Sequence, residues 1–129
     1  MPTRSLRGAI TVSENTRQAI LDATTEMLKA LVESNALSSN EVISAVFSAT
    51  ADLDAAYPAE AARALGWTQA GLMCLQEMKV AGSLDRCVRV LILVESRQEQ
   101  AGMVHCYLRG ASTLRPEFES SADHETVRG

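Results

Sequence analysis

At 129 residues, 47% of them hydrophobic, and with a mean hydropathy close to zero, the chain has the size and composition of one globular domain, and no run approaches the ~20 apolar residues of a membrane span. A net charge of −4 and an aromatic content of 4% supply neither the basic footprint of a nucleic-acid binder nor a base-stacking platform. Three cysteines (Cys74, Cys87, Cys106) and two histidines (His105, His124), at no metal-ligand spacing, argue for buried, reduced thiols and against a zinc site.

The opening MPTRSLRGAI lacks the apolar core of a signal peptide, so a cytoplasmic protein is expected. Arg4 to Val12, with β-branched residues towards its end, reads as a first strand. Asn15 as N-cap and Gln18 three residues later read as a capping box. Behind it Ile20, Thr24, Met27 and Leu31 recur on one face, joined by Ala23 and Leu28, and the spacing predicts a helix from about Thr16 to Ser34. A short helical start is expected at Ser38 to Glu41, then a second strand over Val42 to Thr50. Pro58 at the first helical position and Gly66 as a left-handed stop frame a short helix.

GLMCLQEM, Gly71 to Met78, reads as a third strand leading into an irregular segment, and Cys87 to Glu95 as a fourth. The polar SRQEQAG forms a helical turn, and Met103 to Leu114 a last extended segment. The sequence divides into a domain of residues 1–116 and a polar, acidic tail of 117–129 that is expected to be mobile. LRGAIT (Leu6 to Thr11) and LRGAST (Leu108 to Thr113) echo each other, but nothing around them matches and coincidence is the better reading.

The elements make an α+β domain: a mixed β-sheet with one long and one short helix, enough to cover one face. The fourth strand is apolar on both faces, with Val88, Val90, Ile92 and Val94 on one and Cys87, Leu91 and Leu93 on the other. A homo-oligomer that buries sheet against sheet is therefore expected, with clefts between subunits.

Arg89 lies within that strand. A buried guanidinium requires an anionic or strongly polar partner. Two readings stand: an ion pair with Glu77, Asp85 or Glu95, or a pocket whose partner is a substrate anion. Of the 12 basic residues only Lys29 and Lys79 are lysines, which reflects either codon usage or a need for forked, permanently charged groups that grip carboxylates. Arg7 lies in the first strand, Arg63 on the short helix where Glu60 could pair with it at i,i+3, and Arg115 at the edge of the ordered chain.

LRGAITV, SATADLDAAYPAEAARALGW, CLQEMKVAGSLDRCVRVLILV and HCYLRGASTLRP, in one consistent order from Arg4 to about Phe118, together resemble the AroH-type chorismate mutases. The resemblance implies an isomerase that converts chorismate to prephenate on the way to phenylalanine and tyrosine, without metal or cofactor. It also implies a homotrimer whose sheets form a pseudo-α/β barrel, with active sites between subunits.

By the same resemblance Arg89 addresses the ether oxygen and the carboxylate beside it, Arg7 the carboxylate and ether groups, and Glu77 and Cys74 the ring hydroxyl. Met73 stands beside Cys74 in the substrate-binding segment, and Tyr107 meets a carboxylate. Tyr57, Ala59 and Arg63 come from the neighbouring subunit, and Leu114 and Arg115 close over the cleft. Three positions depart from the pattern: Tyr57 replaces a usual Phe, Met73 a small polar residue, and Glu60 a position that can carry Lys, which weakens any role for Glu60 beside a dianion.

Such a [3,3] rearrangement needs neither nucleophile nor redox group. It needs a compact substrate conformer and stabilisation of the negative charge growing on the ether oxygen. The alternative is a trimeric small-carboxylic-acid-binding or imine-hydrolysing protein of similar architecture, with Arg89 or Arg109 on the carboxylate.

Overall fold

The computed structural model describes residues 1–114; Arg115 and the tail of 117–129 lie outside them. In chain order the described residues form β1 (Thr3–Thr11), α1 (Arg17–Asn35), β2 (Val42–Ala49), α2 (Ala59–Ala64), β3 (Gly71–Gln76), β4 (Cys87–Glu95) and β5 (Cys106–Leu108). Short 3-10 turns stand at Ser39–Glu41, Gln100–Gly102 and Arg109–Thr113. One sheet holds all five strands in the order β3-β2-β4-β1-β5. The most apolar strand, β4, is central and runs antiparallel to both β1 and β2. The outer pairs, β1 with β5 and β2 with β3, are parallel, so the sheet is mixed.

Ile20, Ala23, Thr24, Met27, Leu28 and Leu31 of α1 are buried, the stripe its sequence period describes. They pack with Leu6 and Ile10 of β1 and with Val88, Val90, Ile92 and Val94 of β4 in a continuous core. Gly8 sets the distance between helix and sheet. A methyl added there would stand 2.8 Å from Leu31 Cδ1 and 3.3 Å from Met27 Cγ and Val90 Cγ1. Both helices thus serve one face; the other is covered only at the end around Ala9, Cys87 and Tyr107, where Ala111, Leu84 and Leu114 pack, and is otherwise open.

Three expectations need correction. The N-cap of α1 is Thr16, whose side chain accepts from the Ala19 N–H. Asn15 instead ties the helix start to a distant loop: its Oδ1 accepts from the N–H groups of Asp54 and Ala55, and its Nδ2 donates to Asp54 Oδ1. Gln18 bonds Asp22, one turn on. Pro58 stands one residue before α2, at its N-cap, with φ of −54°; Gly66, φ +94°, is the left-handed stop that was expected.

The last extended segment pairs only over Cys106–Leu108 before it turns. Arg109 takes φ +54°, Gly110 N–H donates to Thr11 Oγ1, and the Arg109 guanidinium reaches Thr11 O and Glu26. LRGA is therefore strand in one copy and mostly turn in the other, which is why its repetition has no structural counterpart. No helix among the described residues is long and apolar enough to cross a membrane.

Candidate active site

Strand alternation places one set of side chains on the open face. Ser48 of β2 lies beside Arg89 of β4, Arg89 beside Ala9 of β1, and Ala9 beside Tyr107 of β5. The adjoining row runs Met73, Val46, Leu91, Arg7. Arg7, Arg89, Tyr107, Ser48, Val46 and Leu91 line, with Gly8 and Val90, a cavity of about 310 Å³. Ala9, small and buried, lies between Arg89 and Tyr107 in the row.

Arg89 is not buried within one chain. Its side chain is 47% exposed, because no helix covers this face. Of the two readings for its partner, an internal carboxylate is present: Glu77 Oε1 lies 3.7 Å from Arg89 Nε. That same oxygen accepts the Ser48 hydroxyl at 2.5 Å, and Glu77 N–H donates to Ala49 O. β3 ends one residue earlier, at Gln76, so Glu77 is held by β2 rather than by its own strand.

Cys87 is buried on the same side as Arg89. Burial pushes its thiol up from the usual range, and the guanidinium of Arg89 beside it pulls less strongly the other way. Tyr107, 7% exposed, packs with Ala9, Cys87 and Ala111, and Leu84 and Leu114 pack against that group. Arg7 is bound behind the cavity to His105: its main-chain N–H donates to Nδ1 at 3.0 Å, and its Nη2 lies 3.1 Å from Nε2.

A second cavity, about 560 Å³, lies across β2 and is lined by Arg17, Tyr57, Glu60 and Cys74 among others. Ser48 borders both. Tyr57 is 68% exposed and does not line the cavity of Arg89. Cys74 pairs with Phe47, a core residue, and its side chain packs partly against the core. Its thiol therefore lies on the other face from Met73 and from the Arg89 row, and only its main chain is offered on the Glu77 side.

Ala59 is buried in the core, so it too can offer only main chain to a ligand. Arg63 is exposed on α2. The expected Glu60–Arg63 surface pair gives way to Arg17, whose Nη2 meets Glu60 Oε1 at 2.6 Å and Nη1 meets Oε2 at 3.1 Å. That hydrogen bonding lowers the Glu60 carboxyl, with the charges of Arg17 and then Arg63 adding to it.

The chain thus brings Arg7, Arg89, Glu77 and Tyr107 to one side of the sheet, and leaves Tyr57, Ala59, Arg63 and the Cys74 thiol elsewhere. Leu114 borders the Tyr107 cluster. Two neighbours had gone unnoticed in the sequence, Ser48 behind Glu77 and His105 behind Arg7. Period-two alternation could have found both, since His105 is two residues from Tyr107 and Ser48 two from Val46. Among the described residues no group of three His, Cys, Asp or Glu could hold a metal. Two guanidiniums, a phenol and a carboxylate on a rigid sheet suit a small organic dianion that also carries a hydroxyl.

Residues 3–118 match the family described as chorismate mutase type I. The chain is 46% identical to the chorismate mutase AroH of Thermus thermophilus, over 92% of this chain and 98% of that one. It is 37% identical to the chorismate mutase AroH of Bacillus subtilis, over 97% and 99%. Its fold superposes on a chorismate mutase from Clostridium thermocellum with a TM-score of 0.83 at 45% identity, covering 84% of this chain and 97% of that one.

Proposed function

The chain belongs to the type I chorismate mutases and is an isomerase that converts chorismate to prephenate, and we propose that it does so on the open face of the sheet, in clefts between the subunits of a homotrimer. The family removes the alternative of an acid-binding or imine-hydrolysing protein. One observation carries the site: Arg7, Arg89 and Tyr107 line a single cavity, with Glu77 beside Arg89.

The chemistry follows from those groups. Arg89 stays charged at any working pH and is mounted on the central strand, so it meets the ether oxygen and the adjacent carboxylate with little reorganisation. As the C–O bond breaks ahead of C–C bond formation, negative charge grows on that oxygen and the guanidinium stabilises it. Arg7 and Tyr107 hold carboxylate oxygens, keeping the diaxial, compact conformer in which the reacting carbons approach. Glu77, steadied by Ser48, accepts the ring hydroxyl, together with the main chain at Cys74.

A trimer completes the cleft. Leu91 and Leu93 are 47% and 38% exposed on the open face of the central strand, an apolar surface that subunit packing would cover. Tyr57 and Arg63, outside the Arg89 cavity of their own chain, would enter a neighbour's, with Leu114 and Arg115 closing over it. We place the enzyme in the cytoplasm, in phenylalanine and tyrosine biosynthesis.

The test is to follow chorismate loss with purified protein, identify the product by NMR, and run Arg89→Ala alongside, with the mass in solution from light scattering. Prephenate from the wild-type trimer and little from the folded variant supports the assignment. Wild-type turnover by the variant, or a monomer that is fully active, would remove it.

A further inference from the structure

We propose that Arg17 masks the charge of Glu60, so that the wall α2 offers to a neighbouring subunit's substrate carries a net positive charge. Arg17 acts through Glu60 and not on the substrate itself. The inference rests on the reading of Tyr57 and Arg63 as groups that enter a neighbour's cleft.

α2 reads AEAARA, and its two charges, Glu60 and Arg63, cancel. Glu60 shares a cavity with Tyr57, and Arg63 stands exposed one turn further on. Left to itself, this wall would meet a dianion with a carboxylate beside its guanidinium. Glu60 does not escape by taking a proton. Hydrogen bonding to Arg17 first, and then the charges of Arg17 and Arg63, hold its carboxyl below the usual range.

Arg17 answers the carboxylate with both arms of its fork, from 43 residues away in sequence: Nη2 on Oε1 at 2.6 Å and Nη1 on Oε2 at 3.1 Å. Both carboxylate oxygens are engaged, the geometry that suits a guanidinium better than an ammonium. With Arg17 in place, the group of Arg17, Glu60 and Arg63 keeps one net positive charge at neutral pH.

Neither the helix nor the docking of α2 calls for this arginine. Arg17 is the first residue of α1, whose first turn holds no acidic residue, and a cation there opposes the helix dipole. The pair is solvated, with side chains 62% and 29% exposed, and exposed pairs add little to stability. α2 is fastened by other means: Ala59, Ala61 and Ala62 are buried in the core, and Asn15 ties the start of α1 to the loop before α2 at Asp54 and Ala55. What the pair does change is the charge of the wall beside Tyr57.

A double-mutant cycle of Arg17→Gln, Glu60→Gln and the two together reads this directly, with chorismate kinetics at low ionic strength, thermal melts and light scattering. Arg17→Gln should raise KM about 3- to 10-fold, the scale of one unit charge acting across a partly solvated cleft. kcat should stay within about twofold, because the rearrangement leaves the total charge of the dianion unchanged, so a remote charge acts on ground and transition states alike. Glu60→Gln should leave KM at or below the wild-type value, and the double variant should follow Glu60→Gln. The rise in KM should shrink as salt is added.

A pair that only docks α2 gives a different pattern: both single variants impaired alike, with lower Tm, and a double variant no better than either. That pattern overturns the proposal. So does a wild-type KM in Arg17→Gln, and so does failure of Arg17→Gln to fold or to keep the mass of the wild-type assembly, which would make the pair structural. Arg63→Gln, run in parallel, separates the premises. A wild-type KM there removes the reading of α2 as a wall of the neighbouring cleft, whereas a raised KM there beside a wild-type KM in Arg17→Gln removes only the masking role of Arg17.

Discussion

Arg89 Nε stands 3.7 Å from Glu77 Oε1, and that oxygen already holds the Ser48 hydroxyl at 2.5 Å. The carboxylate is bonded to Ser48 and only near Arg89, since a closed N–H···O bond spans about 2.7–3.2 Å. Glu77 therefore steadies the guanidinium without consuming it. The pair is half exposed, and such pairs contribute about 0–1 kcal/mol to stability. Arg89→Ala should melt near wild type while losing at least ~10³-fold in kcat/KM, because one donor to a developing anion is worth roughly 10²–10³ in kcat and a carboxylate contact goes with it. Arg89→Lys should recover only part, a point charge being unable to bridge two groups. Steady-state kinetics beside a thermal melt check both.

Ser48 gives a milder perturbation of the same assembly. Ser48→Ala removes the hydrogen bond that sets Glu77 against β2 while leaving Arg89 in place. KM for chorismate should rise roughly 3- to 10-fold, the scale of one lost hydrogen bond, with a smaller change in kcat. An unchanged KM would show that Glu77 is placed by its main-chain bond to Ala49 alone.

Gly8 links the core to the site. A methyl there meets Leu31 Cδ1 at 2.8 Å, and the flanking residues, Arg7 and Ala9, both face the open side. Gly8→Ala should destabilise by about 1–3 kcal/mol, as overpacked cores do, measurable by urea denaturation. Because α1 and β1 must part to admit the methyl, kcat/KM should fall as well, even though the added group lies on the face opposite the cavity.

How much of this was legible in the sequence depends on how far apart the determining residues lie. The buried stripe of α1 and the two-sided apolar pattern of β4 are local periodicities, and both appear in the structure as read. The choice of Thr16 over Asn15 as N-cap is not local: either residue can cap, and Asn15 is claimed by a loop near residue 54. The turn after Leu108 is set by Thr11, 98 residues away. At the site, alternation alone separates Cys74 from Glu77, three residues apart and so on opposite faces of any regular strand; grouping them as one motif hid that. The second apolar face of β4 was legible too: two helices cover one face only, and Arg89, Leu91 and Leu93 stand exposed on the other in a single chain.

That bare face predicts its own test. Leu93 lies on the open side of β4, 38% exposed, away from the cavity that holds Arg89. Leu93→Asp places a charge where subunit packing would desolvate it, and should shift the proposed trimer to a monomer in sedimentation velocity. Activity should be lost with assembly, since Tyr57 and Arg63 would no longer reach a neighbouring cleft. A trimer that survives the substitution would mean that the subunits meet through another surface.

The pH behaviour of stability and of rate should separate. The Asp52 carboxyl is held below its usual range, first by the Thr50 hydroxyl and then by the Arg86 main chain, and Glu60 by Arg17. A folded pKa below the unfolded one gives stability that is present above the unfolded value, about 4 for carboxyls, and is lost as pH falls through the folded value. Burial pushes the Cys87 and Cys106 thiols up; their contribution is full below the unfolded value of about 8.5 and is lost as pH rises through the higher folded one. Stability should therefore be level through neutrality and fall at both ends. The rate should also be flat from roughly pH 6 to 8, because guanidiniums stay charged there and the rearrangement transfers no proton to a side chain. A bell centred near pH 7 in kcat, measured where the melt shows the enzyme folded, would require a titrating general acid or base that the assembly of Arg7, Arg89, Glu77 and Tyr107 does not contain.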